Sequence, residues 1–337
     1  MSNRTSPSRS FNTVKHSNRD ARRQRRQHAR TVLLAMFLVV ALILLSLLTL
    51  LVCSIVDRIS DGREQQPQQQ GPNTEQAPNS SIVYTALTKV SSDIHTGDLV
   101  VVNADHAYVF PTSEAHLLNI YDNRTKVGGS NPYQINRTFA IYMERNAFAQ
   151  MEKMMIKHYE LSDLDGSVLV KYAYRSYKDQ EALGSSILPG YSDHHTGLSI
   201  AVHDGKEAGN PPLDSFHWIY DNCQQYGFII RYPDNKTDVT GVEDYGHCLR
   251  YVGVAHATYI KQNDLCLEEY VALLRAQYTT EHLKITGADG NRYEVYYVPA
   301  GNSDICTISV PSNYQYTVSG DNIGGFIVTV NMSAPIE

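Results

Sequence analysis

The sequence predicts an α+β domain that follows a single N-terminal membrane-spanning helix. Three observations lead to this fold class. An uncharged apolar stretch comes first, short strand-like runs then alternate with helical periodicities, and the last part of the chain alternates in strand fashion between turn residues. With 337 residues, of which 42% are hydrophobic, the chain is long enough to bury a substantial core.

The apolar stretch at residues 31–56, "TVLLAMFLVVALILLSLLTLLVCSIV", predicts a transmembrane helix. At about 1.5 Å per residue, a helix of this length crosses a hydrocarbon core of roughly 30 Å. Residues 1–30 contain nine Arg or Lys residues and one acidic residue, a net charge of +8, so the rest of the chain carries −14 of the total of −6. The basic head favours a cytoplasmic N-terminus, which places the main domain outside the cell membrane. A cleaved signal peptide is the alternative, but the apolar stretch is long for one and no small-residue cleavage site follows it.

Residues 57–80 are rich in Gln, Pro, Asn and Gly, a composition that predicts a flexible spacer. We expect this spacer to precede a main domain at residues 81–280 and a β-rich segment at residues 281–337. The five cysteines include no Cys-x-x-Cys pair, which argues against a zinc ribbon or a redox motif. One or two disulfides remain open among the four cysteines that follow the apolar stretch.

The main domain mixes predicted strands and helices. Apolar runs at 98–103 and 167–174 predict strands, and the run "FIIRYP" predicts a third. Helical spacing predicts helices for "NAFAQMEKMMIKHYELSD", "PPLDSFHWIYDNCQQYG", "VGVAHATYIKQ" and "LEEYVALLRAQYTT". Near the C-terminus, "YEVYYVPA", "CTISVP", "YQYTVSGDN" and "GFIVTVNM" alternate between turn residues and predict a small β appendage.

Four stretches in a fixed order carry a family resemblance. They are "LVVVNADHAYVFP" (99–111), "YRSYKDQ" (174–180), "PGYSDHHTGLSIAV" (189–202) and "YGFIIRYPDNKTDVTGVEDYGHCLRYVG" (226–253). Together they resemble the motifs of VanY-type D-alanyl-D-alanine carboxypeptidases, zinc enzymes that remove the terminal D-Ala from peptidoglycan stem peptides. The resemblance covers residues 95–275 or so. It implies an α+β fold with a central antiparallel sheet and flanking helices.

The resemblance also implies roles for individual residues. In that family a His, an Asp and a second His hold zinc with one position open, a Glu acts as general base and an Arg stabilises the oxyanion. Carried over by position, the Arg corresponds to Arg175 and the first zinc ligand to His194. Ser192 and Gln180 belong to the same motifs, so we expect them beside Arg175 in a substrate cleft.

Three positions depart from the family pattern. Ala201 stands where the family has the Asp ligand, Cys248 replaces the second His, and Tyr245 occupies the general-base position. His194 and Cys248 are one ligand short of a catalytic zinc site. The resemblance therefore implies an incomplete metal site without resident zinc, and a Tyr245 that does not act as a base.

The residues leave three functions open. The favoured function is a catalytically degenerate, membrane-anchored homologue that binds stem peptides ending in D-Ala-D-Ala, or another envelope partner, through Arg175, because an Arg in a cleft clamps a carboxylate without any metal. The second is an active zinc carboxypeptidase with relocated ligands, in which His203 joins His194 and Cys248. Glu243 or Asp244 would then be the displaced base.

The third is a structural interaction domain with an empty cleft. For all three functions, the acidic balance of the exterior part argues against a nucleic-acid partner.

Overall fold

A computed structural model describes residues 82–205, 213–243 and 247–336, without the side chains of residues 213–216. The basic head, the membrane helix and the spacer that the sequence predicts for residues 1–80 lie outside the described residues. Within the described part of the chain, no helix has the length and hydropathy needed to cross a bilayer. The boundary at residues 280 and 281 stays a prediction.

The strands and helices of this part follow one another along the whole chain. In chain order, the strands are β1 (Tyr84–Val90), β2 (Leu117–Asn119), β3 (Gln134–Ile135), β4 (Tyr142–Glu144), β5 (Val168–Tyr172), β6 (Ser199–Asp204), β7 (Phe228–Ile230), β8 (Cys248–Tyr251), β9 (Leu283–Thr286), β10 (Arg292–Pro299), β11 (Ile305–Pro311), β12 (Tyr314–Gly320) and β13 (Gly325–Pro335). The α-helices are α1 (Ile120–Asn123), α2 (Arg145–Leu161), α3 (Tyr177–Leu183), α4 (Leu213–Asn222), α5 (Thr237–Thr240), α6 (Val254–Gln262) and α7 (Leu267–Gln277). Short 3₁₀ turns lie at Ser91–His95, Asp193–Thr196, Cys223–Tyr226 and Asp234–Lys236.

A five-stranded sheet in the order β3-β5-β6-β8-β7 forms the centre of the domain. The pairs β5–β6, β6–β8 and β8–β7 are antiparallel, whereas β3 runs parallel to β5. The sheet is therefore mixed, and the prediction of an antiparallel sheet is wrong at this edge. The reason is the connection between β3 and β5, which contains β4 and the 17-residue helix α2 and so returns the chain to the same end of the sheet.

Helix α2 covers one face of this sheet, as its periodicity predicts. The Glu144 carboxylate caps the helix by accepting hydrogen bonds from the backbone N–H groups of Asn146 and Ala147, at 2.7 and 2.9 Å. Its buried stripe contains Phe148, Met151, Met154 and Met155, which belong to the same apolar cluster as the residues of the sheet. Tyr159 is also buried on this helix. Met side chains adapt to irregular gaps, which suits a helix packed on a twisted sheet.

The apolar run at residues 98–103 is buried but forms no strand, so that prediction is wrong. Its carbonyl groups are bound by side chains instead of by a neighbouring strand. Arg250 donates to the carbonyls of Asp98 and Val100, both at 3.0 Å, and Arg231 donates to the carbonyl of Val102 at 3.2 Å. A buried segment whose carbonyl groups are bound by side chains has the same apolar sequence pattern as a buried strand. Periodicity therefore cannot distinguish the two.

The C-terminal strands form the predicted antiparallel sheet, in the order β12-β13-β10-β9. Strand β11 instead pairs with β1, with Tyr84 opposite Pro311 at one end and Val90 opposite Ile305 at the other. Helices α6 and α7 lie against the C-terminal sheet, and their buried residues share a cluster with Leu99, Val101 and Ile229. The C-terminal sheet and the preceding helices therefore share one apolar core.

The remaining helix predictions are confirmed. Helix α4 and the 3₁₀ turn after it end at Gly227, whose φ of 79° is in the left-handed region that glycine favours. Helices α6 and α7 lie where the sequence predicts them. Cys223, Cys248, Cys266 and Cys306 are all buried free thiols, so no disulfide joins the four cysteines of the described region.

Candidate functional site

The site lies where β6 meets β8 in the central sheet. Ala201 is paired directly with Cys248, and Ser199 with Arg250, in an antiparallel register. Every residue of β6 is buried, and Cys248 itself is fully buried. Side chains at positions 201 and 248 therefore project from adjacent strands as a cross-strand pair.

His194 reaches this pair from the 3₁₀ turn Asp193–Thr196. Its Nδ1 lies 2.8 Å from the carbonyl oxygen of Ala173 and donates to it, because a carbonyl oxygen only accepts. Its Nε2 then carries the lone pair and lies 4.0 Å from Cys248 Sγ. Gly197 closes the turn with φ of 72°, where a Cβ atom would come within 2.7 Å of Leu117.

Burial makes the thiol and the imidazole neutral at neutral pH. Burial, with the nearby Arg175 guanidinium, lowers the pKa of His194 to about 4. Burial, with the nearby Asp193 carboxylate, raises the pKa of Cys248 to about 12. The corner thus contains a neutral imidazole, a thiol and a methyl group, and it lacks the carboxylate of a catalytic zinc site.

The donor set at this corner does not fit a zinc centre. His194 and Cys248 are the only ligand-type side chains at the three carried-over positions, because Ala201 has no donor atom. Over the ranges that the structure describes, no three His, Cys, Asp or Glu side chains come together closely enough to hold a metal ion. His203 lies further along β6, where its ring contacts that of His247 with centroids 4.6 Å apart.

The predicted base positions are only partly described. Tyr245 and Asp244 lie outside the described residues. Glu243 is exposed and lines the cavity discussed below.

A buried charge network supports the turn that carries His194. Asp193 Oδ1 accepts hydrogen bonds from Arg231 Nε at 3.0 Å and Arg250 Nη1 at 2.6 Å, and Oδ2 accepts from the Ser199 hydroxyl. Arg231 also forms a two-pronged pair with Glu268, at 2.7 and 3.0 Å. Burial alone would raise the pKa of Asp193, but the guanidinium groups of Arg250 and Arg231 hold it below its ordinary value. The turn is therefore fixed by charge-assisted hydrogen bonds to Arg231, which follows β7, and to Arg250 in β8.

Arg175, Gln180 and Ser192 line one cavity of about 630 Å³. Arg175 Nη1 donates to Gln180 Oε1 at 2.7 Å, and the guanidinium lies over the Tyr172 ring. Gln180 is itself fixed because its Nε2 donates to the carbonyl oxygen of Ile187 at 2.7 Å. Ser192 is buried in the wall of the cavity beside His194. The arrangement presents a fixed cation with planar hydrogen-bonding geometry, which suits a carboxylate.

Three hydrogen bonds hold Arg175 in register with His194. The Arg175 N–H donates to the carbonyl of His194 at 3.1 Å, and His194 Nδ1 binds the carbonyl of Ala173. His195 Nδ1 lies 2.6 Å from the carbonyl oxygen of Arg175, while its Nε2 accepts from the Gly190 N–H at 3.0 Å. His195 is therefore a buried histidine whose two ring nitrogens both have hydrogen-bond partners.

Comparison with known proteins agrees with this geometry. The family model of VanY, D-alanyl-D-alanine carboxypeptidase, matches residues 140–254, which contain His194, Ala201 and Cys248 of the corner and Arg175, Gln180 and Ser192 of the cavity. These residues belong to the VanY carboxypeptidase family. The resemblance read from the four motifs is thereby confirmed.

Relatives of known name share the family. A D-alanyl-D-alanine carboxypeptidase from Enterococcus faecium is 28% identical over 256 residues, which are 72% of this chain and 78% of that protein. The bifunctional D-Ala-D-Ala dipeptidase and carboxypeptidase VanXYC from Enterococcus gallinarum is 27% identical over 151 residues, 39% of this chain and 77% of that protein. Among solved structures, the vancomycin resistance D,D-dipeptidase VanXYg, bound to a D-Ala-D-Ala phosphinate analogue, superposes with a TM-score of 0.62. It is 26% identical and covers 74% of this chain and 99% of its own.

Tyr232 is a cavity residue that the sequence analysis did not predict. Tyr232 lies at the end of "FIIRYP", which indicates a strand and gives no sign of a site. In the fold its side chain is buried and lines the same cavity as Arg175 and His194. The sequence signal was available, since Tyr232 lies within the fourth family motif, but nothing in its spacing separates it from core tyrosines.

Proposed function

We propose that this VanY-family protein is a membrane-anchored component of the cell envelope that binds peptidoglycan stem peptides ending in D-Ala-D-Ala and does not hydrolyse them by the zinc mechanism. Its N-terminal head would be cytoplasmic and its family domain extracytoplasmic. The observation that carries the proposal is the contrast between two parts of one cleft. The carboxylate-binding group Arg175 is held in place by Gln180, whereas the metal corner pairs Ala201 with Cys248.

Binding without hydrolysis is physically consistent. A guanidinium in a partly enclosed cavity forms strong, two-pronged hydrogen bonds with a carboxylate whether or not a metal is nearby. Hydrolysis of an amide needs more, namely an activated water. His194 and Cys248 are one ligand short of a catalytic zinc site, and Ala201 supplies no third donor.

The relatives support the ligand class. VanXYg is described in complex with a D-Ala-D-Ala phosphinate analogue, and the Enterococcus faecium relative is a D-alanyl-D-alanine carboxypeptidase. Their ligand has a free carboxylate next to a small D-residue, and the cavity of this chain offers Arg175 for such a group.

The test is calorimetric titration of the purified full chain with a stem pentapeptide ending in D-Ala-D-Ala. We expect measurable binding, and we expect Arg175→Ala to weaken it about tenfold or more, because a charge-assisted hydrogen bond contributes about 1.5–3 kcal/mol. Arg137→Ala is the matched control, since the Arg137 guanidinium also lies over a tyrosine ring, that of Tyr121, but is exposed. A control effect equal to that of Arg175→Ala would argue against the clamp.

A second peptide makes the assignment specific. The same pentapeptide with its C-terminal carboxylate converted to an amide should bind the wild-type chain as weakly as the acid form binds Arg175→Ala. Arg175→Ala should not weaken amide binding further, because the partner of the guanidinium is already gone. Failure of the wild-type chain to bind either peptide would favour a structural domain with an empty cleft.

Hydrolysis is followed in the same samples by release of free D-Ala with zinc added. We expect none above the buffer background. Rapid release that is lost in His203→Ala would instead establish a zinc carboxypeptidase with relocated ligands.

A further inference from the structure

A second cavity of about 370 Å³ adjoins the cavity that contains Arg175. We call them the first lobe and the second lobe of the cleft. The two lobes share one wall, formed by Ser186, Ile187, Tyr232, Gly241 and Val242. Because the wall is shared, the second lobe lies next to the first, where an extended ligand bound at Arg175 would place its preceding residues.

Among the residues that the structure describes, those that line the second lobe are all uncharged. Apart from the shared wall, it is lined by Asn103, Ala104, Leu188, Tyr191 and Thr240. The first lobe differs, because it contains both Arg175 and Glu243. The charges beneath the second lobe are paired with each other, since Arg231 binds Glu268 and the Asn103 side chain donates to the same Glu268 at 3.2 Å. A charged group that entered the second lobe would lose water without gaining a counter-charge.

Tyr232 stands where the lobes meet. Its side chain is only 6% exposed, and its ring lies under the Arg231 guanidinium, 4.7 Å from guanidinium carbon to ring centroid. Among the residues that the structure describes, its hydroxyl has no hydrogen-bond partner. The hydroxyl is not one of the fully buried side-chain atoms without a partner, so it is accessible to water or to a ligand in the cavity. Burial raises the pKa of Tyr232, so the hydroxyl stays protonated and can both donate and accept.

We propose that the second lobe is a subsite for an uncharged stretch of the peptide ligand, and that the Tyr232 hydroxyl binds the ligand backbone at the junction of the lobes. This inference rests on the proposed function, because it takes the terminal carboxylate to lie at Arg175. It adds a selectivity for the residue that precedes the terminal D-Ala-D-Ala. The residue before that pair should be preferred with an uncharged side chain.

The first test removes only the hydroxyl. Tyr232→Phe keeps the ring under Arg231, and the full chain carrying it should bind the D-Ala-D-Ala pentapeptide about two- to tenfold more weakly, the range expected for one hydrogen bond. Tyr121→Phe is the control, because the Tyr121 ring also lies under arginine side chains but is 53% exposed outside the cleft. It should leave the affinity unchanged.

Thermal unfolding separates a lost contact from a lost fold. Without ligand, Tyr232→Phe should melt at or above the wild-type temperature, because the hydroxyl that is removed has no partner in the described part of the chain. A lower melting temperature together with an unchanged affinity would show that the hydroxyl serves the fold, and would overturn its role in binding.

The second test uses a matched pair of tripeptides, X-D-Ala-D-Ala, in which X is N-acetyl diaminobutyric acid with its side-chain amine either acetylated or free. The short side chain cannot extend out of the lobe, so we expect the neutral form to bind about fivefold or more tightly than the cation. Leu188→Asp, at a rim position that is 64% exposed, should abolish or reverse this preference by supplying a counter-charge. Leu161→Asp, 56% exposed at the end of α2, is the control and should keep it.

The outcomes distinguish failure of this inference from failure of the proposed function on which it rests. Binding that depends on Arg175 but shows equal affinity for both tripeptides, and no effect of Tyr232→Phe, overturns the second-lobe subsite alone. Absence of any binding by the wild-type chain overturns both proposals.

Discussion

Ala201 and Cys248 face each other across the antiparallel pairing of β6 with β8. The Cβ atoms of such a pair are about 4.5–5.5 Å apart, and His194 Nε2 lies 4.0 Å from the Cys248 sulfur. The three positions that the motif resemblance assigns to zinc ligands are therefore neighbours, with Ala201 at the position of the Asp and Cys248 at the position of the second His. The backbone suits a metal centre better than the side chains do.

Restoring the side chains should restore metal binding. We expect the triple variant Ala201→Asp, Tyr245→Glu, Cys248→His to bind close to one zinc ion per chain, because its ligand set is then His, Asp and His. Tyr245→Glu alone or Cys248→His alone should bind almost none, because position 201 then still has no donor atom. Release of D-Ala should be slow even in the triple variant, because catalysis also needs support around the ligands. Zinc content by elemental analysis decides the matter, and a folded triple variant without zinc would show that the corner has been rebuilt.

Asp193 should be among the most sensitive positions for stability. Asp193→Asn leaves the buried guanidinium groups of Arg231 and Arg250 without their shared charge, and breaking a buried ion pair from one side costs about 3–5 kcal/mol. We expect a large fall in the urea midpoint with a similar slope. Asp304→Asn, at an exposed position, should leave the midpoint unchanged. Equal midpoints for the two variants would contradict the network's role.

Asp98 should make stability depend on pH. Burial, and next the nearby Glu144 carboxylate, raise the pKa of Asp98 from 3.8 to about 6. Between these values the folded protein keeps a proton that the unfolded chain has released, so stability decreases as pH rises through this window. Asp98→Asn removes that cost and should be more stable than the wild-type chain by about 1–2 kcal/mol near pH 8, with little difference near pH 4.

The exposed Asp105→Asn variant is the control for this measurement. It should follow the wild-type curve of melting temperature against pH. A wild-type curve parallel to that of Asp98→Asn over the whole range would contradict the raised pKa.

The predicted topology is tested on intact cells. Protease added outside should release the family domain by cutting within residues 57–80, because a Gln- and Pro-rich spacer is accessible chain. The basic head should stay with the membrane fraction. A domain that is secreted without residues 1–56, or one that is shielded from protease, would contradict the anchored arrangement.

The sequence correctly predicted most of the helices and strands whose positions follow from hydrophobic periodicity and from the order of the motifs. Helix α2 has a clear apolar stripe and a carboxylate at its N-cap, so its position follows from local pattern. Residues 98–103 show the limit of this reasoning. They are as apolar as a strand, but Arg231 and Arg250, more than a hundred residues away in the chain, bind their carbonyl groups. No local pattern contains that information.

The candidate site also contains residues that the sequence predicted and one that it did not. The motif spacing placed His194, Ala201 and Cys248 together because gapless alignment preserves the strand register, and a one-residue slip would have turned those side chains to the opposite face. Tyr232 was missed because a buried tyrosine in a core and a buried tyrosine in a cleft look alike in sequence. Only the fold shows that Tyr232 lines two cavities and that its hydroxyl has no hydrogen-bond partner within the described residues.

The most direct test of the account is the zinc content of the purified full chain. The chain is produced with zinc in the medium, purified without chelator and measured by elemental analysis beside the triple variant. We predict far less than one zinc per wild-type chain, and no rise in melting temperature on adding zinc, because stabilisation by a ligand requires tight binding to the native state. A full equivalent of zinc in the wild-type chain, lost on Cys248→Ala, would contradict the claim that this family member has given up its metal centre.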